Sequence, residues 1–303
     1  MTVVLVLSGG GLWSAAGIGV AEALNDLGIS VDGVVGSSAG SLVGALIALG
    51  YAPRELRQLT ERLRPQDFSV SWTLWARALL RGTLPEAALP DTPLWQRLNP
   101  YFEGKHWQSL ARPLWVVTSS LTHRMPVIYG SSPPMRSELG HRMHLAWAGE
   151  QLELPLAIRA SMAVPGIFPP VLSTNGVLVD GGVVDDFPVD VAAWVGADRI
   201  IGVWVDEPDR WRLPSRWHAG HIAASSLTTM IRELTTVRQR QIAVPQVTIR
   251  LEMDAGHRVF HRVADIIRRG YEEAMAQRDL LQALFDPGGL AGLVVVCGHG
   301  GWH

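Results

Sequence analysis

A chain of 303 residues with 48% hydrophobic and 18% charged residues carries enough apolar surface for a sizeable core and is not a disordered one. Its net charge of −2 lacks the basic excess that general nucleic-acid binding requires. The one cysteine, Cys297, excludes an intramolecular disulfide and a cysteine-based metal cluster. The opening 1-MTVVLVLSGGG-11 has neither the basic start nor the long apolar core of a signal peptide, and no apolar run reaches membrane-spanning length. A soluble cytoplasmic protein is expected. Lys105 is the only lysine, and five of the 12 tryptophans fall between Trp72 and Trp115.

In chain order, 3-VVLVL-7 reads as a buried strand, 8-SGGG-11 as a loop, and 15-AAGIGVAEALNDLG-28 as a helix closed by Gly28. A second strand, 31-VDGVV-35, leads through 36-GSSAG-40 into a helix that ends at Gly50. Both helices are rich in Ala and Gly on apolar faces, which permits close packing on a sheet, and the pattern is that of a buried parallel sheet. From about 54 to 112 the character changes. A charged surface helix, 54-RELRQLTERLR-64, is followed by the amphipathic 70-VSWTLWARALLRGTL-84, and then by Pro85, Pro90, Pro93 and Pro100. This reads as a helical insertion between sheet strands. The sheet resumes at 113-PLWVVTSSL-121 and 126-PVIYG-130. A small-residue helix and a hairpin-like pair lead to 180-DGG-182, then a helix and the strand 200-IIGVWV-205. A helix near 219–240, a strand over 246–253 and one long helix across about 259–285 complete a single domain over 1–285. The tail 286–303 is Gly-rich with one apolar run and receives no assigned role.

G-x-S-x-G between a strand and a helix is the context in which a serine is held on a sharp turn with its Oγ exposed above the sheet. Taken alone, 36-GSSAG-40 is a moderate signal, with an ordinary tight turn as the alternative. The loop Gly9, Gly10, Gly11 offers consecutive backbone N–H groups that suit a phosphate or a developing oxyanion. Gly9-x-Gly11-x-x-Ser14 also approximates a dinucleotide fingerprint. Against that reading stand Ser14 at its third position and Asp32, which precedes the second strand's apolar run instead of ending it. None of the ten histidines lies before His106, and most sit in polar helical stretches. A carboxylate is the alternative base for the serine, and Asp180 ends an apolar strand just before Gly181 and Gly182. By itself Asp-Gly-Gly is usually a turn.

Three blocks in order, 5-LVLSGGG-11, 36-GSSAG-40 and 180-DGG-182, resemble the patatin-like phospholipase family, as do the flanking 159-RASMAVPGIFPPV-171 and 181-GGVVDDFPV-189. The resemblance runs from about 3 to 206 and is patchy across the insertion. It implies an α/β fold, three-layer α/β/α with a mostly parallel central sheet, and a Ser-Asp dyad that cleaves fatty acyl esters. Ser38 would be the nucleophile, Asp180 its base, and the Gly9–Gly11 loop the oxyanion hole, with the amides of Gly10 and Gly11 donating. Gly36 and Gly40 would shape the elbow. No metal or organic cofactor is implied. A lipid or acyl ester is the expected partner; nucleic acid is not, and the oligomeric state is not legible.

Two positions depart from the family. Its members usually follow the triple glycine with a basic residue and glycine, whereas this chain has Leu12, Trp13 and Ser14, and no Arg or Lys before Arg54. Asp186 stands where the family usually has asparagine, and a second carboxylate near Asp180 would raise its proton affinity. The Trp-rich segment 72–115, with Arg77 and Arg81, reads as an acyl-pocket wall or a lid making peripheral membrane contact, or as a helix packed on the core. A catalytically weak lipid-binding relative and an acyltransferase using the same serine are the alternatives to a hydrolase.

Overall fold

The computed structural model describes residues 1–62, 87, 89, 92–206, 219–252, 263–286 and 294–297. The amphipathic stretch 70–84, with Trp72, Trp75, Arg77 and Arg81, lies outside them.

β1 (Val3–Leu7) is a five-residue apolar strand buried along its whole length. A short 3-10 turn over Gly11–Ala15 leads into α1 (Ala16–Asp26), which begins within one residue of the start its apolar pattern suggests. Gly28, at φ 69°, closes it as expected. β2 (Gly33–Ser37) and α2 (Ala39–Ala48) repeat the unit. The insertion contributes α3 (Pro53–Arg62) and α4 (Thr92–Phe102). There follow β3 (Leu114–Ser120), β4 (Met125–Gly130), α5 (Ser137–Met143), β5 (Ala146–Gly149) and α6 (Leu154–Ser161). The hairpin β6 (Val171–Ser173) and β7 (Gly176–Asp180) precedes α7 (Val189–Trp194) and β8 (Arg199–Asp206). The chain then forms α8 (Ala219–Arg240) and β9 (Gln246–Glu252). In place of one long helix stand α9 (Val263–Ala276) and α10 (Arg278–Ala283), separated at Gln277, whose φ −103° and ψ 15° leave the helical region. The run 294–297, given no role from the sequence, forms β10 (Val294–Cys297) parallel to β9.

The sheet order is β10-β9-β8-β1-β2-β3-β4-β5, parallel from β10 to β3. β4 returns antiparallel on β3. Along β1 the side chains alternate between two apolar layers: Val3, Leu5 and Leu7 join α1, α2, α6 and α9, while Val4 and Val6 join α5 and α7. A strand with both faces covered is why its sequence is uniformly apolar. The three-layer α/β/α fold with a mostly parallel sheet is therefore present. Ala and Gly on the helices do allow close approach. A Cβ on Gly17 would lie 2.9 Å from the Leu7 side chain, and one on Gly44 2.9 Å from that of Val34.

The insertion helices α3 and α4 pack Leu56, Leu59, Leu94, Leu98 and Phe102 into the first of these layers. Trp107 is buried with its indole N–H donating to the Leu152 carbonyl at 2.7 Å. Trp115 is buried with its own donating to Ser132 at 2.7 Å. These two tryptophans of the cluster are core residues, so neither faces lipid. Among the described residues no helix is long and apolar enough to cross a membrane.

Candidate active site

One topological detail brings the two predicted catalytic residues together. β2 pairs with only the first part of β3, Ser37 lying opposite Val117. β7 takes up the remainder of β3, antiparallel, with Asp180 opposite Thr118. The last residue of β7 thus abuts the end of β2, and residues 142 apart in sequence meet. The Ser38 hydroxyl donates to Asp180 Oδ2 at 2.6 Å.

Ser38 has φ 50° and ψ −132°, a region that residues bearing a Cβ rarely enter. Three contacts hold it there. Its N–H donates to Ser161 Oγ at 3.0 Å, and that hydroxyl donates to the Val117 carbonyl at 2.6 Å. Its carbonyl accepts from both the N–H and the hydroxyl of Ser41, at 2.9 and 2.6 Å. Gly40 permits the crossing: a Cβ there would stand 2.4 Å from the Ser8 carbonyl oxygen and 2.5 Å from that of Leu7. Gly36, at the start of the motif, would meet the backbone of Ser41 at 2.6 Å. The 10-residue helix α2 starts at the next residue, its positive dipole end directed at Ser38.

Asp180 is anchored on its other oxygen, Oδ1 accepting from the Gly182 N–H at 2.8 Å, and its backbone carbonyl accepts from the Ser119 hydroxyl at 2.7 Å. A Cβ on Gly181 would fall 2.3 Å from the Val117 carbonyl oxygen, which is why glycine follows the aspartate. Burial pushes the Asp180 carboxyl up to about 7, against the hydrogen bonds from Ser38 and Gly182, which favour its charged form.

The glycine loop differs in one respect from the expectation. The Gly9 N–H donates to the Asp186 carbonyl at 3.0 Å, so it is committed to holding the loop. Gly9 is required for space: a Cβ there would lie 2.2 Å from Asp186 Oδ1 and 3.2 Å from Ser38 Cβ. Gly10 and Gly11, at φ 129° and 58°, have no protein acceptor for their N–H groups among the described residues. Consecutive glycines in this conformation form an anion nest. Ser8 braces the loop, its hydroxyl donating to the Gly9 carbonyl and accepting from the Val205 N–H, each at 2.9 Å.

Both residues flagged as departures lie against this machinery. Asp186 Oδ1 and Asp180 Oδ1 flank one point beside Gly182, at 2.7 and 3.0 Å from where a Cβ would sit. Trp13, two positions after Gly11, has the guanidinium of Arg269 from α9 over its ring, 5.9 Å from the centroid. Positive charge reaches this loop from far along the chain. Behind the loop, Asp185 and Asp190 are fully buried, and Arg238 of α8 donates to Asp190 Oδ2 at 2.6 Å. Burial and the nearby Asp190 hold the Asp185 carboxyl well above the carboxylate range, opposed by Arg238.

Ser8, Ser119, Ser161 and Arg269 were not singled out from the sequence. Ser161 lies within the 159–171 block, and Ser119 belongs to the polar end Thr118-Ser119-Ser120 of a strand that begins apolar, which is a usable signal. Nothing local marked Arg269.

The family model described as patatin-like phospholipase matches residues 5–193. The chain belongs to the patatin-like phospholipase family. It is 30% identical over 211 residues to human patatin-like phospholipase domain-containing protein 6, covering 69% of this chain and 14% of that protein. It is 31% identical over 207 residues to lysophospholipase NTE1 of Cryptococcus neoformans, covering 68% of this chain and 11% of that one. The chain thus spans about a seventh or less of the curated relatives it matches. Among solved structures, VipD from Legionella pneumophila aligns with a TM-score of 0.51 at 15% identity, over 92% of this chain and 66% of that one. This patatin-like chain shares that fold.

Proposed function

We propose that the chain is a lipid carboxylic ester hydrolase of the phospholipase or lysophospholipase type, working through a Ser38–Asp180 dyad. The observation that carries this is the 2.6 Å hydrogen bond from the Ser38 hydroxyl to Asp180 Oδ2. Membership of the family supports the lipid class of substrate, as do relatives named as a patatin-like phospholipase domain protein and a lysophospholipase.

In this reading Ser38 Oγ attacks the acyl carbonyl carbon as its proton passes to Asp180. A carboxylate at its ordinary value is too weak a base, and burial that lifts Asp180 to about 7 brings its affinity near the operating pH. The carbonyl oxygen becomes an oxyanion, met by the N–H groups of Gly10 and Gly11. Collapse expels the alcohol, which takes the proton from Asp180. Water then attacks the acyl-enzyme, returning its proton through Asp180 to Ser38 and releasing the fatty acid.

A fluorophosphonate probe tests the assignment. Ser38 should be labelled in the wild-type chain and not in Ser38→Ala, with loss of p-nitrophenyl ester turnover and an unchanged fold. Turnover retained by a pure Ser38→Ala preparation overturns the proposal. Absence of labelling in the wild type favours a lipid-binding relative without hydrolase activity.

A further inference from the structure

The glycine loop is held at two backbone anchors outside its own strand. The Gly9 N–H donates to the Asp186 carbonyl at 3.0 Å, and the Ser8 hydroxyl accepts from the Val205 N–H at 2.9 Å. The anchors come from different segments, one just before α7 and the other near the end of β8. The residue beside each anchor carries an aromatic ring, Phe187 after Asp186 and Trp204 before Val205. These two rings stack, with centroids 5.5 Å apart and planes at 8°. Phe187 is fully buried, and Gly202 makes room for it: a Cβ there would stand 2.5 Å from Phe187 Cζ.

The stack continues into a charged pair. Arg250 of β9 lies opposite Trp204 in the parallel register, its guanidinium 5.1 Å from the centroid of the indole. The same guanidinium donates to Asp206, the last residue of β8, which also pairs with Arg232 of α8 at 3.5 Å. Side-chain exposure is only 13% for Arg250 and 6% for Asp206. A buried ion pair adds little stability over apolar side chains of the same volume, because both charges are taken out of water. What it supplies here is geometry. A guanidinium offers a flat face to an indole and a fixed edge to a carboxylate. Trp204 and Asp206 flank Val205, so the pair fixes β8 on both sides of the anchor. Val205 also meets the loop directly, its side chain 2.9 Å from where a Cβ on Gly10 would sit.

We propose that Phe187, Trp204, Arg250 and Asp206 form one positioning stack that sets where the Gly10 and Gly11 N–H groups point. The inference rests on the dyad reading, in which those amides meet the oxyanion. The four act through Asp186 and Val205, not by contact with substrate. Their effect therefore belongs to the transition state, where donor placement matters, and not to ground-state binding.

Trp204→Leu and, separately, Arg250→Met test this in the full chain. Each should lower kcat for a p-nitrophenyl acyl ester by roughly 10–100-fold, the scale of a small misplacement at a reacting centre, with KM within about two-fold. Rates are taken per chain labelled by a fluorophosphonate, so a misfolded fraction does not count. A fatty trifluoromethyl ketone mimics the tetrahedral adduct, Ser38 Oγ adding to its carbonyl carbon as the proton passes to Asp180. Its binding should weaken by the same factor as kcat, while that of an unreactive fatty ether stays unchanged. Trp204→Phe, which keeps a ring on Phe187, should restore most of kcat. Trp204→Leu/Arg250→Met should lose no more than the worse single variant, because one stack is broken once. Hydrogen exchange adds an arm independent of Ser38: the Gly9 and Val205 amides should exchange about tenfold faster in both variants, with those of β2 and β3 unchanged. Wild-type kcat in Trp204→Leu, a loss carried by KM, or a Trp204→Phe no better than Trp204→Leu overturns the stack. Unchanged exchange at Gly9 and Val205 does so too. A wild type that takes no fluorophosphonate overturns the dyad reading instead, and the exchange arm still decides whether the stack holds the loop.

Discussion

Replacing Asp180 with asparagine should abolish turnover and yet stabilise the protein above neutral pH. The wild-type carboxyl moves from an ordinary value of 3.8 to about 7 on burial. A carboxyl whose folded value lies above its unfolded one takes up a proton on folding. Its favourable contribution is complete below about 4 and is lost as pH rises through about 7. Three pKa units correspond to about 4 kcal/mol of native-state cost once Asp180 is ionised.

Asparagine never ionises, and it fits the same bonds. Its oxygen can accept from the Gly182 N–H, and its amide can donate to Ser38 Oγ, since both wild-type contacts are single. Asp180→Asn should therefore match the wild type near pH 4 and exceed it by up to about 4 kcal/mol at pH 9, which for a chain of this size is roughly 5–10 °C in melting temperature. Urea or thermal unfolding followed by tryptophan fluorescence at several pH values gives the comparison, the 12 tryptophans providing the signal. Equal stability at every pH, or a variant less stable at pH 9, would refute the claim that burial sets the base.

Two further outcomes follow from the same geometry. Asp186→Asn removes the second carboxylate beside Asp180 and should move the acid limb of the pH–rate profile to lower pH by about 0.5–1 unit; an unmoved limb would mean the two groups do not interact. Ser38→Gly should be more stable than Ser38→Ala by about 1 kcal/mol, read from denaturant midpoints, because both lose the hydroxyl but only alanine keeps a Cβ at φ 50°. The reverse order would show that the elbow is unstrained.

Much of the site was legible because its chemistry is concentrated in short motifs. Ser38, Asp180 and the glycine loop each lie within a few residues of a strand end, where local pattern and spacing are informative. Their meeting was not legible, because it depends on β7 occupying the end of β3 beyond β2, and pairing between distant strands leaves no local signature. The same holds for β10, whose apolar run could be placed only by its partner β9. The break at Gln277 was missed because neither glycine nor proline marks it. The commitment of the Gly9 amide was missed because its acceptor is the carbonyl of Asp186, 177 residues on. The tryptophans of the insertion illustrate the opposite hazard: clustering in sequence suggested one shared role, yet Trp107 and Trp115 are buried with separate carbonyl partners.

The dyad contains two unfavourable elements, a serine in a strained conformation and a carboxylate removed from water. Among the described residues no cation touches Asp180, whose side-chain partners are the Ser38 hydroxyl and the Gly182 N–H. A guanidinium against Asp180 would stabilise its ionised form and drop its proton affinity, leaving Ser38 without a base. Neutral donors position the group without lowering it as far. The restraint instead comes from backbone and hydroxyl contacts around it, Ser161 on the elbow and Ser119 on the Asp180 carbonyl, set in a parallel core whose strands are buried on both faces. The charged pair that the region does contain, Arg238 with Asp190, stands behind the loop beside Asp185, where it can fix α7 and α8 without touching the base. On the proposed mechanism, a carboxylate free of cation contacts among the described residues would let an aspartate do the work that histidine does in a triad.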